Sequence, residues 1–269
     1  MDKILLFIPM FNCEKQISRV LDQIDKNILK YVSEVIVVNN KSTDHGEEVV
    51  IDYCKQHPEL PIKLFRNNDN YGLGGSHKVA FQYAIKYEYD YVIILHGDDQ
   101  GRIKDFLPLL RNGEYRKYDC SLGARFMKGS KLIGYSRIRI LGNYGFNMLF
   151  SVVVHSSIKD LGSGLNLYKV STLKDEYYMK YPDTLYFNDL MILASCYYKQ
   201  KILFYPISWR EEDQISNNKL WKFSCSLLKM LWNYVKNKDK YLQQDMRINH
   251  IKEYTAQLIW DNQNGGLRK

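Results

Sequence analysis

Two adjacent carboxylates and a glutamine follow an apolar run near the middle of the chain. Residues 91–95 (YVIIL) are rich in β-branched and aromatic side chains, which is typical of a buried strand, and the polar sequence HGDDQ follows directly. Asp98, Asp99 and Gln100 would therefore lie at the carboxyl end of a strand, where open α/β sheets bind their ligands. Their oxygen atoms suit a hard divalent cation, Mg²⁺ or Mn²⁺. Because Gly-Asp-Asp is also common in turns, a plain turn stays open, and Asp99 is alternatively a partner of a metal ligand.

Strands and helices must alternate along the chain to position this segment. Apolar runs predict three further strands, and apolar residues at helical spacing predict three helices. The strands are expected over residues 3–9, 34–38 and 62–65, and the helices over residues 14–28, 46–56 and 77–87. Such alternation with short loops predicts an α/β fold with a mainly parallel, doubly wound sheet and its polar loops on one edge.

A glycine-rich loop follows the third predicted strand. Gly72, Gly74 and Gly75 lack the Gly-x-Gly-x-x-Gly spacing of dinucleotide-binding loops, and they do not follow the first strand. A dinucleotide-dependent dehydrogenase is therefore disfavoured. The glycines would still let backbone amides at a helix N-terminus approach a phosphate or a base.

Charge and cysteine content narrow the class of protein. The formal net charge of the 269 residues is +8, and residues 219–269 hold ten Lys/Arg against four Asp/Glu. Five widely spaced cysteines without a Cys-x-x-Cys pair argue against a disulfide framework or a zinc site and fit the cytoplasm. Neither a signal peptide nor a membrane-spanning segment is expected.

The basic C-terminal region, residues 221–269, is predicted to be a helical extension of a main domain over residues 1–220, with a final helix over residues 241–258. Its apolar positions repeat at helical spacing with lysines along the flank. The apolar side chains are Trp221, Leu228, Trp232 and Val235, with Leu227 and Leu231 beside them, and the lysines are Lys222, Lys229 and Lys236. This pattern fits either an anionic membrane surface or packing on the core.

Several short motifs resemble family-two glycosyltransferases, which have an A-type fold. The N-terminal ones are residues 8–12 (IPMFN), 37–44 (VVNNKSTD), 70–76 (NYGLGGS) and 96–100 (HGDDQ). Those in the second half are residues 123–126 (GARF), 139–143 (RILGN), 160–164 (DLGSG), 187–189 (FND) and 206–220. The second set is similar to the polyprenyl-phosphate sugar synthases of that family, and the resemblance covers about residues 3–220.

The resemblance implies roles for individual residues. Donor-nucleotide binding falls to Pro9, Asn12, Asn39, Asn70, Gly72, Gly74, Lys78 and Gly97. Metal binding falls to Asp98, Gln100 and Asp99, and phosphate or acceptor binding to Arg125, Arg139, Asn143, Ser163 and Arg210. Asp98 and Asp189 are the catalytic candidates, with Asp189 as a general base or, alternatively, only a helix N-cap. The loop over residues 210–218 is expected to order over bound donor.

Three positions depart from the family pattern. Asn39 stands where the family usually has Asp, and because an amide both donates and accepts, the base of the nucleotide is left open. His96 stands where the Asp-x-Asp motif begins, and Asn166 replaces an Arg often found in polyprenyl-phosphate enzymes.

The expected function is an inverting, metal-assisted transfer of a sugar from a nucleotide diphosphate, UDP first and CDP or GDP as alternatives. The acceptor is a lipid-linked or surface-polysaccharide hydroxyl, which the sequence slightly favours, or alternatively a polyprenyl phosphate. Nucleotidyl transfer is disfavoured because the glycines are not in the first loop. A nucleic-acid binder would depend on the basic tail alone, so no nucleic-acid partner is expected. The site of action would be the cytoplasm, with peripheral contact to the inner face of a membrane.

Overall fold

The computed structural model describes residues 1–213 and 220–266. Its strands are β1 (Ile4–Met10), β2 (Val32–Asn39), β3 (Ile62–Asn67), β4 (Tyr91–Leu95), β5 (Cys120–Ala124), β6 (Lys131–Ile133), β7 (Leu165–Lys169), β8 (Ile202–Pro206), β9 (Ser208–Arg210) and β10 (Ala256–Asp261). Within these residues, eight strands form one sheet in the order β10-β3-β2-β1-β4-β7-β5-β8, and β6 pairs with β9.

Helices cover both faces of the sheet. They are α1 (Ile17–Leu21), α2 (Gly46–Gln56), α3 (Gly72–Lys86), α4 (Leu107–Asn112), α5 (Arg137–Val154), α6 (Tyr186–Tyr197), α7 (Leu220–Lys236) and α8 (Lys238–Gln243). Successive side chains of β1 enter different cores, since Leu6 packs with α1 and α2 whereas Phe7 packs with α3, α6 and α7. The doubly wound α/β fold predicted from the sequence is therefore confirmed.

The pairing of the strands explains where the site must form. β1 pairs in parallel with β2 and β4, and β2 pairs in parallel with β3, so the carboxyl ends of all four predicted strands share one edge. β7 lies antiparallel between β4 and β5 and brings the segment before Leu165 to the same edge. The motifs of the N-terminal half of the chain and those of the second half therefore meet at this edge of the sheet.

The C-terminal region differs from the prediction. The helix expected over residues 241–258 is wrong: α8 ends at Gln243, and β10 pairs antiparallel with β3 in the main sheet. The open edge of β3 supplies hydrogen-bond partners that local helical periodicity does not reveal. The extension therefore contributes a strand to the catalytic fold as well as helices.

Two helices near the N-terminus have different bounds from those expected. The helix predicted over residues 14–28 reduces to α1, because the Asp25 carboxylate accepts hydrogen bonds from the Asn27 and Ile28 amides in a turn (2.9 and 3.2 Å). Helix α3 begins at Gly72 instead of residue 77, so the glycine-rich loop forms its first turn.

Helix α7 buries one face in the core and exposes the other. Leu227, Met230, Leu231 and Tyr234 are buried in the core, whereas Trp221, Leu228, Trp232 and Val235 are exposed. Among the described residues, none of the helices combines the length and the apolar content needed to cross a bilayer.

Candidate active site

The carboxyl ends of β1 and β4 are held in close contact at the site edge. The Gly97 amide donates to the carbonyl of Pro9 (3.0 Å), and a Cβ on Gly97 would lie 2.8 Å from that oxygen. A side chain at position 97 would therefore push the two strand ends apart. Nearby, the Asn12 carboxamide oxygen accepts from the Thr43 amide (2.8 Å), which fixes the loop after β1 to the loop after β2.

Asn39 is oriented by neighbouring side chains. Its Nδ2 donates to Glu47 (2.7 Å), and its Oδ1 accepts from the Ser42 amide (2.9 Å). Glu47 also accepts a hydrogen bond from Arg66. Burial raises the pKa of Glu47, but the hydrogen bonds from Arg66 and Asn39 outweigh burial and hold this pKa below its usual value. An amide has two hydrogens on nitrogen and two lone pairs on oxygen, so Asn39 retains capacity to pair with a base.

A second amide network shapes the loop after β3. The Asn40 Nδ2 donates to Asn70 Oδ1 (2.8 Å), which also accepts from the Gly72 amide (3.1 Å). The Oδ1 of Asn40 accepts from Asn67 Nδ2 (2.9 Å) and from the Tyr71 amide (2.8 Å). Asn70, a predicted donor contact, therefore holds the turn that leads into α3.

The glycines of this loop contact the protein itself. A Cβ on Gly72, whose φ is +69°, would lie 2.3 Å from the Asp183 carbonyl, and one on Gly74 would lie 2.5 Å from the Pro182 carbonyl. The Gly74 amide also donates to the Asp183 carbonyl (2.8 Å). Close packing against residues 182–183 therefore explains both glycines, and the first turn of α3 is occupied by protein instead of pointing freely at a phosphate.

Lys78 requires a correction. The side chain is fully buried, and its Nζ donates to the Tyr181 carbonyl (2.6 Å), the Asp183 carboxylate (2.7 Å) and the Tyr254 hydroxyl (3.1 Å). All three ammonium hydrogens are thus used within the protein. Lys78 ties α3 to the segment before α6 and to the C-terminal region, and it does not face a donor.

Asp98 is the carboxylate best placed for a metal. Its Oδ1 accepts from the Gln100 amide (3.2 Å), and burial raises the pKa of the Asp98 carboxyl to about 6. Within residues 1–213 and 220–266, no group of three or more His, Cys, Asp or Glu side chains is placed to hold a metal ion. Mg²⁺ is commonly held by one or two protein carboxylates together with substrate phosphates, so Asp98 and the Gln100 carboxamide fit a cation that arrives with a diphosphate.

Asp99 is committed to other partners. Its carboxylate pairs with Arg19 (2.7 Å) and Arg210 and accepts from Gln23 (3.1 Å), and Arg210 Nε also donates to the Asp99 carbonyl (2.8 Å). Arg19 extends the network to Asp213 (2.5 Å). These contacts favour the alternative in which Asp99 does not bind metal and instead positions residues 98–100, the candidate metal-binding segment. They also engage Arg210, a predicted phosphate ligand.

The raised pKa of Asp98 predicts a pH dependence. A metal ion must displace the proton, so metal-dependent binding of a nucleoside diphosphate should weaken about tenfold for each pH unit below the Asp98 pKa of about 6. Calorimetric titration of UDP with Mn²⁺ at pH values on either side of this pKa measures the effect. Asp98→Asn is the control, because its residual binding should not vary with pH through this group. Wild-type affinity that stays constant across the series would contradict the assignment.

The acceptor side of the edge is organised around a buried ion pair. Arg125, directly after β5, makes two side-chain hydrogen bonds to Asp160 (both 2.7 Å), and its amide also donates to Asp160 (2.8 Å). Asp189 lies close by in the first turns of α6 and is buried. Burial and the nearby charge of Asp160 raise the pKa of the Asp189 carboxyl well above its usual range, although Arg125 opposes the shift. The helix N-cap position is Leu185, so Asp189 is not an N-cap.

Ser163 and Asn166 hold the turn before β7. The Ser163 hydroxyl accepts from the Leu165 amide (3.2 Å), and the Ser163 carbonyl accepts from Asn166 Nδ2 (2.8 Å). The Oδ1 of Asn166 accepts from the Gly123 amide of β5 (3.3 Å). Both side chains are therefore used to join β7 to β5.

Arg139 and Asn143 lie in the first turns of α5. Arg139 pairs with Glu211 and lies over the Tyr135 ring (4.7 Å), and Asn143 Nδ2 donates to the Arg139 carbonyl (2.7 Å). Each of the three predicted phosphate-binding arginines thus has a carboxylate partner. Glu211 belongs to the predicted lid; residues 214–218 of that loop lie outside the described residues.

The chain is similar to known proteins over most of its length. The profile of glycosyl transferase family 2 matches residues 6–175. The chain belongs to this family. A dolichyl-phosphate beta-glucosyltransferase of Dictyostelium discoideum is 25% identical over 249 residues, which is 88% of this chain and 74% of that protein. An uncharacterized protein of Methanocaldococcus jannaschii is 25% identical over 173 residues, 64% of this chain and 67% of the relative.

The fold is also shared with a solved structure. Glucosyl-3-phosphoglycerate synthase from Mycobacterium tuberculosis, in complex with Mn²⁺, UDP-glucose and glycerol 3-phosphate, superposes with a TM-score of 0.57. The sequence identity is 15%, and the match covers 87% of this chain and 80% of that chain. This likeness supports the A-type fold.

Sequence reasoning missed two side chains of this glycosyltransferase that line the same edge, Asp160 and Trp209. Asp160 begins the DLGSG motif, and Trp209 lies in the motif over residues 206–220, where its ring contacts the Arg125 guanidinium (5.0 Å). Nε2 of His96 and Nε1 of Trp209 are buried without a hydrogen-bond partner among the described residues. The motifs contained these residues, but only the pairing of β7 with β4 and β5 shows that they meet.

Proposed function

We propose that this glycosyltransferase transfers a sugar from a uridine diphosphate donor to the phosphate of a polyprenyl lipid, assisted by Mg²⁺ or Mn²⁺. The observation that carries the acceptor assignment is the environment of Asp189. Burial and the charge of Asp160 raise the pKa of this carboxyl well above its usual range. When protonated, it can donate a hydrogen bond to an anion held by the nearby Arg125, and an ionised phosphate acceptor needs no base to remove a proton.

The donor would lie along the ends of β1, β2 and β3. Asn39 would contact the base, with its orientation set by Glu47, and the loops held by Asn12 and Asn70 would border the ribose and diphosphate. The crystallised M. tuberculosis relative contains UDP-glucose and Mn²⁺, which supports uridine and a divalent cation for this chain. Asp98 and Gln100 would hold the cation. When bound, it would offset charge on the leaving diphosphate.

The transfer would be a single displacement with inversion at the anomeric carbon. An ionised oxygen of the acceptor phosphate forms the new bond to that carbon as the bond to the diphosphate breaks, and the electron pair leaves with UDP. No proton needs to be removed from the acceptor. Arg125 and Arg139 would exchange part of their contact with Asp160 and Glu211 for phosphate oxygens, to which guanidinium groups bind in the same forked geometry.

The direct test supplies UDP-sugars and Mn²⁺ with three acceptors: a short polyprenyl phosphate, the corresponding polyprenol and an oligosaccharide. UDP release is expected with the polyprenyl phosphate alone. Because dolichyl phosphate is the acceptor named for the D. discoideum relative, this is also the outcome that the comparison favours. Release only with the oligosaccharide would favour the hydroxyl acceptor, and release of pyrophosphate would indicate nucleotidyl transfer. Activity at the cytoplasmic face of a membrane is part of this proposal, since a polyprenyl chain resides in a bilayer.

A hydroxyl acceptor is the second candidate, because position 166 carries an amide and no cation. Asn166 is committed to Ser163 and Gly123, so this position offers no cation to an acceptor phosphate. The Asp189→Asn variant separates the two cases. With a phosphate acceptor, single-turnover rates at saturating donor should fall less than about fivefold. Loss of a general base would instead cost about 10²–10⁴. Asp175→Asn is the control, because it makes the same substitution at an exposed carboxylate.

A further inference from the structure

Helix α5 exposes a continuous apolar face. Large apolar side chains recur on it at helical spacing and are largely exposed. They are Ile138 (82% exposed), Leu141 (74%), Tyr144 (50%), Met148 (68%), Leu149 (37%) and Val152 (66%). Residues 140–154 contain no charged residue at all. The opposite side of the helix packs on the core through Asn147 and Phe150. A long exposed helix face of this composition is typical of an interaction surface.

Helix α7 continues the same surface. Its outward apolar side chains are Trp221 (79% exposed), Leu228 (48%), Trp232 (60%) and Val235 (57%). Its buried residues and Phe150 of α5 belong to one core cluster, and the ends of the two helices line one cavity of about 870 Å³. The two helices also contact each other, so their exposed side chains are treated as parts of one surface. We call these ten exposed side chains the α5/α7 surface.

The charged side chains on the two helices themselves are all basic. Lys222, Lys229 and Lys236 are exposed along α7, and Arg137 is exposed where α5 begins. Neither helix contains an aspartate or a glutamate. Tryptophan and tyrosine beside lysine are the residues that accumulate at the boundary between hydrocarbon and headgroups, where lysine can extend its ammonium towards phosphate.

We propose that the α5/α7 surface lies in the interface of an anionic lipid bilayer, with both helices parallel to the membrane. The apolar side chains enter the boundary of the acyl chains, and the basic side chains contact lipid phosphates. The sequence alone had considered α7 for this role; the structure adds α5, which supplies more than half of the exposed apolar side chains.

This orientation connects the bilayer to the site. Arg139 in the first turns of α5 pairs with Glu211, and Arg210, next to Glu211, pairs with Asp99 beside the metal segment. The N-terminal end of α5 therefore lies against the wall of the active site. Membrane contact along α5 would place the opening of the site at headgroup depth. The proposal does not depend on which acceptor group is used, because it concerns binding to lipid without donor or acceptor.

Sedimentation of the full chain with vesicles tests the proposal. The protein should bind vesicles of phosphatidylglycerol and phosphatidylcholine, bind vesicles of phosphatidylcholine alone far more weakly, and lose affinity as salt is added. Replacing Lys222, Lys229 and Lys236 with Gln should lower the partition constant about hundredfold, since each basic residue near the surface adds about fivefold. Leu141→Asp and Val152→Asp should each lower it at least about tenfold.

Matched variants control for charge and for surface polarity. Lys26, Lys30 and Lys117 replaced with Gln remove the same charge at exposed positions outside α5 and α7, and Tyr87→Asp makes an apolar-to-acidic change at the end of α3. These variants should bind anionic vesicles as the unmodified protein does, after allowance for their net charge. Circular dichroism should show that all variants are folded.

Three outcomes would overturn the proposal. One is failure of the unmodified protein to bind anionic vesicles, and another is equal binding by the α5/α7 variants and the controls. The third is a concentration-dependent dimer that Leu141→Asp disrupts, without vesicle binding, which would show that a second copy covers the surface. Glycosyl transfer to a short polyprenyl phosphate in detergent, without vesicles, can be measured in parallel, so loss of vesicle binding is distinguished from failure of the proposed reaction.

Discussion

Asp98→Ala is expected to fold and to lose about a hundredfold or more of its turnover. Asp98 follows β4 and is the carboxylate that we propose to hold a cation against the leaving diphosphate, and removing one such electrostatic contact typically has an effect of this size. The loss should appear in kcat and in Mn²⁺-dependent UDP affinity. Steady-state kinetics and calorimetry measure the two effects.

Stability separates loss of the site from loss of the fold. Because the pKa of Asp98 in the folded protein, about 6, lies above its ordinary value, ionisation of Asp98 opposes folding. The stabilisation that the protonated Asp98 carboxyl contributes is fully present below the pKa of the unfolded chain, and it is lost as pH rises through about 6. At neutral pH, Asp98→Ala should therefore unfold at no lower temperature than the unmodified protein. A stable variant with near-normal turnover would refute the metal assignment, whereas an unfolded one would refute the structural argument.

Asp99→Ala is the matched comparison for this experiment. Its carboxylate holds Arg19 and Arg210, so its loss should free these arginines and lower stability. We expect Asp99→Ala to reduce turnover through misplacement of the segment while retaining metal-dependent UDP binding. An equal loss of metal binding in both variants would mean that Asp99 also coordinates the ion.

Arg125→Met is expected to destabilise the fold by about 3–5 kcal/mol. Asp160 is almost completely buried and would keep its charge without its principal partner, which is the costly way to break a buried ion pair. Burial lowers the pKa of Arg125, but the adjacent charge of Asp160 outweighs this and raises it above its ordinary value, so the cation is firmly retained. Urea unfolding followed by circular dichroism gives the free energy of unfolding directly.

The double variant Arg125→Met, Asp160→Leu is the control. Replacing both charges with apolar groups should recover most of the loss, since no buried charge is then left unpaired. The double variant should still be inactive if Arg125 binds an acceptor phosphate. A loss below about 1 kcal/mol in Arg125→Met would show instead that Asp160 finds another partner or takes up a proton.

The parts of the fold that the sequence predicted correctly are those with a local signal. The four strands of the parallel core are short apolar runs that end in polar loops, so their carboxyl ends and the position of Asp98 followed from periodicity. Matched motifs also singled out Arg125 and Asp189, which the structure places near each other. These inferences needed no long-range contact.

The parts that were missed depend on contacts between distant segments. Asp160 meets Arg125 only because β7 enters antiparallel between β4 and β5, and no local pattern encodes that insertion. Lys78 was assigned to the donor from the family resemblance, yet it is buried, and its partners Asp183 and Tyr254 lie far along the chain. β10 was taken for a helix because the free edge of β3 is invisible in the sequence of β10 itself.

The late position of β10 has a consequence for biosynthesis. While the chain is still emerging from the ribosome, β3 has an unprotected edge, and Lys78 lacks the hydroxyl of Tyr254. The first turn of α3 is likewise incomplete on that side, because the Tyr254 ring packs edge-on against Tyr71 and would lie 3.2 Å from a Cβ on Gly75. The glycine-rich loop after β3 can reach its final shape only when translation has passed β10. A nascent or prematurely terminated chain would therefore have the carboxylates of the proposed site but an unfinished glycine-rich loop, and it would carry an exposed strand that invites aggregation.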